Sequence, residues 1–357
     1  MKVGLGLYRQ SLTPENFAFA RQIGVTHIVA HLVDYFADTR LPDQRESPYG
    51  WGVTENEGKL WTVDELRALK DTINAHGLQL AAIENFDPAH WYDILLGGPR
   101  RDQQIEDIKV LIQRLGQVGI PVMGYSFSLA NVWGHVTGPF ARGSAETVGF
   151  FGPDGPAETP IPLGTVWNMT YDLHAPQGTI GTVSEDTMWE RLSDFLREVV
   201  PVAEESGVRL AMHPADPPVP VLRNTGRIGY RPEHLQRVLD TVPSRANALE
   251  FCQGTIAEMP DIDIYDVIDH FSRQDSIAYV HFRNVRGKAP HYEEVFVDEG
   301  DVDMQKALSI YVRNGFDGVI IPDHTPRLSC AAPWHAGMAY VIGYIRATLQ
   351  SLDALEA

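Results

Sequence analysis

Eight short apolar runs, rich in β-branched residues, alternate along this chain with amphipathic segments of helical period, and that alternation narrows the possible folds more than any other feature. The strand-like runs are predicted at Lys2–Leu7, His27–Leu32, Gln79–Asn85, Pro121–Phe127, Arg209–Pro214, Asn247–Cys252, Ile277–Asn284 and Gly318–His324. Helical patterns between them are predicted at Thr62–His76, Asp102–Val118, Asp186–Ser206, Pro232–Thr241, Ile264–Arg273 and Met304–Asn314. Gly24, Gly77, Gly119, Gly207 and Gly315 stand where a helix would end in a left-handed cap, and Thr13 and Thr62 where one would begin. Eight βα units in order predict an α/β fold, a (β/α)8 TIM barrel, with a doubly wound sheet as the alternative that the unit count disfavours. Residues 1–357 read as one barrel domain.

Two stretches exceed a minimal barrel, about 33–60 after the second strand and about 128–183 after the fourth. Both follow the C-terminal ends of strands, so both are expected over the catalytic mouth. Trp133, Phe140, Phe150, Phe151, Trp167 and Tyr171 in the second point to a lid or a subunit contact, and a homo-oligomer is expected by analogy with barrels of this kind.

Composition limits the partners. With 47 acidic and 29 basic residues the formal net charge is −18, which argues against nucleic-acid binding. No apolar run is long enough to span a membrane, no signal-like leader is visible at MKVGLGLYRQ, and two cysteines make no disulfide framework. A cytoplasmic protein acting on a small molecule is the expectation.

Four of the runs lead straight into residues that bind metals: AMHPADPP (His213), LEFCQG (Cys252), YVHFRN (His281) and IIPDHTP (Asp323). In a barrel, four such positions on successive strands converge at one mouth. Imidazole, thiolate and carboxylate together suit a borderline divalent ion: Zn²⁺ by softness, Mn²⁺ or Fe²⁺ by the carboxylate. Each residue also has a plain reading; a cysteine ending a buried strand is often an inert core thiol. Asp216, in the same motif as His213, reads as an imidazole-orienting acceptor or as a turn residue.

These motifs resemble those of the mannonate dehydratase family. HPADPP is similar to the family's HPDDPP, FCQG to its cysteine motif, VHFRNV to its histidine-bearing seventh strand, HYEEVFVDEGDVDM to its acidic stretch ending in GDVDM, and IPDH to its RPDH. The resemblance is dense from about Val199 to His324 and thinner before that. It implies a xylose-isomerase-like barrel that removes water from D-mannonate to give 2-keto-3-deoxy-D-gluconate with Mn²⁺ or a similar ion. Carried over, His213, Cys252, His281 and Asp323 become metal ligands, and His324 becomes an acid/base residue. Arg227 and Arg283, with Arg286 as a third choice, are candidates for holding the substrate carboxylate. Glu84, Asn85 and Tyr125 are candidates for reading sugar hydroxyls. Where the family carries a Gly-Tyr pair before its last helix, this chain reads Ala332-Pro333-Trp334-His335-Ala336-Gly337. His335 or Tyr340 is therefore the expected second proton-transfer group. The alternative activities are a sugar isomerase or epimerase, or a dehydratase of another aldonate, on the same barrel.

Overall fold

The computed structural model describes residues 1–35, 51–54, 59–152 and 159–356, so much of the expected insertion at 33–60 lies outside the described residues. Eight parallel strands close into a barrel. In chain order they are β1 (Lys2–Leu7), β2 (His27–His31), β3 (Gln79–Glu84), β4 (Val122–Tyr125), β5 (Arg209–Met212), β6 (Asn247–Cys252), β7 (Ile277–His281) and β8 (Val319–Ile321), each paired with its sequence neighbour and β8 with β1. The barrel alternative is thus the one the chain adopts.

The strands form because their residues can be buried on both faces. β6 and β7 are buried at every position, as expected when a parallel sheet is covered by helices outside and filled by side chains inside. The interior is mostly small: Ala81, Ala82, Ala211, Ala248 and Ala278 share it with Val29, Val122, Tyr279, Val319 and Ile321. Those alanines leave room for Tyr279 and for acidic side chains at the next level up. Gly124 belongs to the same economy, because a β-carbon there would collide with the Tyr279 hydroxyl and the Glu250 carboxylate.

The helices are bounded as their sequences dictate. Thr62 and Glu65 close a reciprocal capping box at the start of helix Val63–Ala75. Gly119 and Gly207 end helices Arg101–Val118 and Glu185–Ser206 with φ of 72° and 67°, a conformation costly for any residue with a β-carbon. No helix among the described residues is long and apolar enough to cross a membrane.

Six strands are shorter than the apolar runs predict, β2 and β3 by one residue and β4, β5, β7 and β8 by two or more. Of the residues just beyond the ladder, Ser126, His213, Asp323 and His324 line the mouth. His213 illustrates this: it lies one residue past β5, yet its backbone N–H still donates to the Tyr125 carbonyl at 2.8 Å. The run Ile277–Asn284 divides, so that Asn284–Lys288 leaves the barrel and pairs with His291–Val295. This hairpin joins strands His135–Ala141 and Ala145–Phe150, from the insertion after β4, in a four-stranded antiparallel sheet beside the mouth. Gly and Thr in the insertion and Glu in the acidic stretch hid these strands, which gain their apolar face only when the two segments meet.

Gly124→Ala is expected to force Tyr279 or Glu250 aside and to lower stability by about 1–3 kcal/mol, the usual cost of overpacking. The urea midpoint of the variant measures this; an unchanged midpoint would show that the wall yields freely.

Candidate metal centre and active-site cavity

At the mouth lies a cavity of ≈ 410 Å³ whose wall is drawn from the ends of the barrel strands and from the sheet beside them. Strand register explains its floor. Cys252 pairs with His281 across β6 and β7, and two residues earlier Glu250 pairs with Tyr279. With a side-chain period of two, these pairs form two stacked layers inside the barrel. On the other side, His31 pairs with Glu84 across β2 and β3.

His213, Cys252 and His281 bring one donor atom each to within 4.8 Å of one another. Asp323 stands beside them, its Oδ2 3.6 Å from His281 Nδ1. Both imidazoles are anchored through one nitrogen only. His213 Nδ1 lies 2.6 Å from the Pro214 carbonyl, so that nitrogen carries a proton and Nε2 is left for a ligand. His281 Nε2 sits between Glu84 Oε2 at 3.3 Å and Glu250 Oε1 at 3.2 Å. Its Nδ1 is buried and accepts or donates no hydrogen bond among the described residues. The Cys252 sulfur lies 3.1 Å from the Thr255 hydroxyl oxygen. An orphaned ring nitrogen, a thiol and a second oriented imidazole around one point fit a divalent cation of the Zn²⁺, Mn²⁺ or Fe²⁺ class. A second group, Glu84, Glu250 and His281, lies on the other face of the same imidazole.

The electrostatics are those of a site that trades protons for a cation. Burial pushes the Cys252 thiol up, but the Arg283 charge and the adjacent imidazoles of His213 and His281 outweigh it and hold the thiol well below its ordinary value. Burial likewise works against a charged His213, yet the adjacent Cys252 sulfur and the Glu250 charge together outweigh it and lift it to about 9. His281 is raised well above the ordinary imidazole value, the Asp323 and Glu84 charges overcoming burial. Glu250 moves the opposite way to its neighbour: burial and the Glu84 charge push it up to about 8, while His31 and His281 outweigh burial and draw Glu84 down to about 2. A cation bound here displaces the imidazole protons, so its affinity must fall in acid.

His324 lines the cavity, with Nδ1 2.6 Å from Glu294 Oε2 and Nε2 3.2 Å from Asp323 Oδ2. Desolvation opposes its charging, but those two carboxylates raise it well above the ordinary value, which makes it a proton donor. Glu84 and Asn85 also line the cavity. The remaining sequence candidates stand elsewhere. Arg283 is buried behind the wall, held by Asp216 at 2.7 Å, Glu258 at 2.7 Å, Glu294 at 3.2 Å and Asp323 at 3.3 Å. Arg227 is buried too, donating to the carbonyls of Asn131 at 2.7 Å and Asp216 at 3.0 Å. Arg286 is half-exposed and pairs with Glu293 and Glu299. Tyr125 is fully buried, packed between Trp91 and Phe195. His335 lies on the outside of the barrel, bonded to Asn16 Oδ1 at 3.0 Å and stacked edge-on against Phe19. Tyr340 is 40% exposed, its hydroxyl 3.5 Å from an Arg142 nitrogen. None of these six lines the cavity, nor does any lysine or arginine among the described residues.

Sequence reasoning passed over several wall residues: Tyr8, His31, His135, Glu250 and Glu294. For two of them the signal was present. Glu250 is an acid in an otherwise apolar strand, two residues from Cys252 and so on the same face, and His31 ends the run HIVAH. His135 and Glu294 come from segments whose fold becomes visible only when they pair.

A profile of the family described as D-mannonate dehydratase (UxuA) matches residues 8–147 and 163–356. The mannonate dehydratase of Lactococcus lactis subsp. lactis (strain IL1403) is 31% identical over 286 residues, covering 75% of this chain and 79% of that protein. Mannonate dehydratase 2 of Halalkalibacterium halodurans is 30% identical over 277 residues, again covering 75% and 79%. A crystal structure of mannonate dehydratase from Streptococcus suis serotype 2 superimposes with a TM-score of 0.80 over 100% of this chain and 94% of that one, at 24% identity. A xylose isomerase domain protein from Planctomyces limnophilus does so with a TM-score of 0.59 over 99% of each chain, at 13% identity. These two superpositions speak to the fold.

Arg283→Met would strand three buried carboxyl groups and the part-buried Asp323 without their cation, and a loss of about 3–5 kcal/mol is expected in denaturant unfolding at pH 7. A loss below 1 kcal/mol would show that the carboxylates find other partners. Burial raises Asp216, but the charges of Arg283, His135 and His213 and the hydrogen bond from Thr255 together outweigh it and leave it at about 2. A carboxyl depressed on folding stabilises the native state above its unfolded value of about 3.9. That share is therefore complete above about pH 4 and lost as pH falls through about 2, an effect that acid-unfolding curves of the wild type and of Asp216→Asn should separate.

Proposed function

The chain belongs to the D-mannonate dehydratase family, and from that premise we propose that it is a hydro-lyase that removes water from D-mannonate to give 2-keto-3-deoxy-D-gluconate. The observation that carries this reading is the convergence of His213, Cys252 and His281, with Asp323 and His324 alongside, on a cavity large enough for a six-carbon acid. We assign the metal to His213, Cys252, His281 and Asp323, with Mn²⁺ as the first choice and Fe²⁺ or Zn²⁺ as alternatives. When bound, such an ion supplies positive charge against the anion that develops beside the substrate carboxylate.

The chain's own residues do the rest. His324, kept charged by Glu294 and Asp323, donates a proton to the departing 3-hydroxyl. Glu84 and Asn85 face the cavity and can accept from or donate to sugar hydroxyls. We assign Arg227 and Arg283 to building the wall rather than to the substrate carboxylate, since both terminal nitrogens of each donate to protein oxygens and neither side chain lines the cavity. Tyr125, His335 and Tyr340 have no part in the chemistry on this reading, because they stand behind or outside the wall.

One observation favours a second reading. A wall without lysine or arginine among the described residues also suits a neutral sugar, so an isomerase or epimerase, or a dehydratase of another aldonate, is the alternative. Purified protein loaded with Mn²⁺ and given D-mannonate decides: formation of the 2-keto-3-deoxy acid supports the dehydratase, and its absence with metal demonstrably bound overturns it.

Cys252→Ser is expected to lose metal and activity together, measured by metal analysis beside the assay; full metal content would take Cys252 out of the site. His324→Asn should keep the metal and lose about 10²–10⁴-fold in turnover, the usual worth of a general acid. An unchanged rate would exclude that role.

A further inference from the structure

Dehydration needs two proton transfers, and with His335 and Tyr340 outside the cavity only His324 has been given one. Most other titratable groups of the wall are taken. His31 has Nδ1 3.1 Å from the Tyr35 hydroxyl and Nε2 3.6 Å from Glu84. Glu294 is held by His324 and Arg283, and Glu84 and Glu250 by His281. His135 differs. It begins the first strand of the sheet beside the mouth, lines the cavity, and is held through one nitrogen only.

That nitrogen ends a directed chain. The Tyr292 hydroxyl donates to Asp216 Oδ1 at 3.2 Å, and His135 Nε2 lies 2.6 Å from the same hydroxyl and 3.5 Å from Asp216 Oδ1. A phenol has one proton, and here the ionised carboxylate takes it. The short contact is then satisfied by Nε2–H donating to the tyrosine oxygen. Asp216 is itself fixed by Arg283 at 2.7 Å and by the Thr255 hydroxyl at 3.0 Å. The chain thus sets both the tautomer and the orientation of the ring, leaving Nδ1 with a lone pair and no hydrogen bond among the described residues.

We propose that His135 is the general base of the reaction, its Nδ1 taking the proton from C2 while His324 protonates the leaving hydroxyl on C3. The C2–H bond breaks and its electrons form the C2–C3 double bond. The C3–O bond breaks, and the hydroxyl leaves as water with the proton of His324. The resulting enol loses its hydroxyl proton and gains one at C3, which returns both imidazoles to their starting states. Burial lowers His135 more than the Asp216 and Glu294 charges raise it, with Arg283 and His324 adding to the lowering, which agrees with a neutral base. Asp216 and Tyr292 are positioning residues for this base. The assignment rests on the dehydratase reading.

The test compares wild type with His135→Asn and His135→Ala, all loaded with Mn²⁺, on D-mannonate and on D-mannonate deuterated at C2. Expected are a fall in kcat of about 10²–10⁴-fold with KM within a few-fold, retained metal, an enlarged deuterium isotope effect, and partial rescue of His135→Ala by added imidazole. A kcat within threefold of wild type, or a loss that tracks lost metal, overturns the assignment and leaves the dehydratase reading standing. No product from the wild type overturns both. Independently of any variant, ring ¹⁵N NMR of wild-type His135 near neutral pH should show the Nε2–H tautomer; the Nδ1–H tautomer or a doubly protonated ring would overturn the proposal.

Discussion

The buried guanidinium of Arg283 is the interaction on which the mouth of this barrel depends. It sits two residues beyond His281 and binds carboxylates from three separate segments: Asp216 after β5, Glu258 after β6 and Glu294 on the sheet beside the mouth, together with Asp323 after β8. Buried ion pairs gain little net stability because desolvation offsets the attraction, but removing one partner is severe. Their use here is geometric. One planar fork fixes where four chain segments stand relative to each other, and two of its acids pass that order on, Asp216 to His135 and Glu294 to His324.

A second constraint is tautomer control. In a metal site or a proton-transfer site an imidazole is useful only when one nitrogen is committed and the other is not. His213 is committed through a backbone carbonyl, His281 through Glu84 and Glu250, and His135 through Tyr292. Each leaves its second nitrogen toward the cavity or the thiol. The small barrel interior makes this possible: alanines and Gly124 create the space in which Tyr279, Glu84 and Glu250 gather beneath His281.

The barrel was legible because its signals are local. Every strand of it lies inside a predicted apolar run, and two, Lys2–Leu7 and Asn247–Cys252, match to the residue. The four ligand candidates were legible for the same reason, each standing at the end of such a run. The roles of the arginines were not. Arg227 and Arg283 sit in motifs at the mouth, and sequence spacing cannot say whether a guanidinium points into the cavity or back into the wall. That depends on Asp216, Glu258 and Glu294, from segments far apart in the chain. His135 was hidden for a similar reason: its strand pairs with Ala145–Phe150, which pairs in turn with His291–Val295, residues 291 to 295 lying far along the sequence.

The cavity wall contains the carboxyl groups of Glu84, Asp216, Glu250, Glu294 and Asp323 and no lysine or arginine among the described residues. An anionic substrate entering such a space would be repelled unless positive charge stood ready inside it, and at low local dielectric that repulsion is large. The protein supplies that charge as protons on His324, His281 and His213. A divalent ion bound by His213, Cys252, His281 and Asp323 would replace two of those protons with a charge of equal size, concentrated at one point and able to accept oxygen. On this argument the metal is as much the counter-charge that admits a sugar acid as a participant in its reaction. A neutral sugar would lack that attraction, and this is the physical reason to rank the aldonate above it.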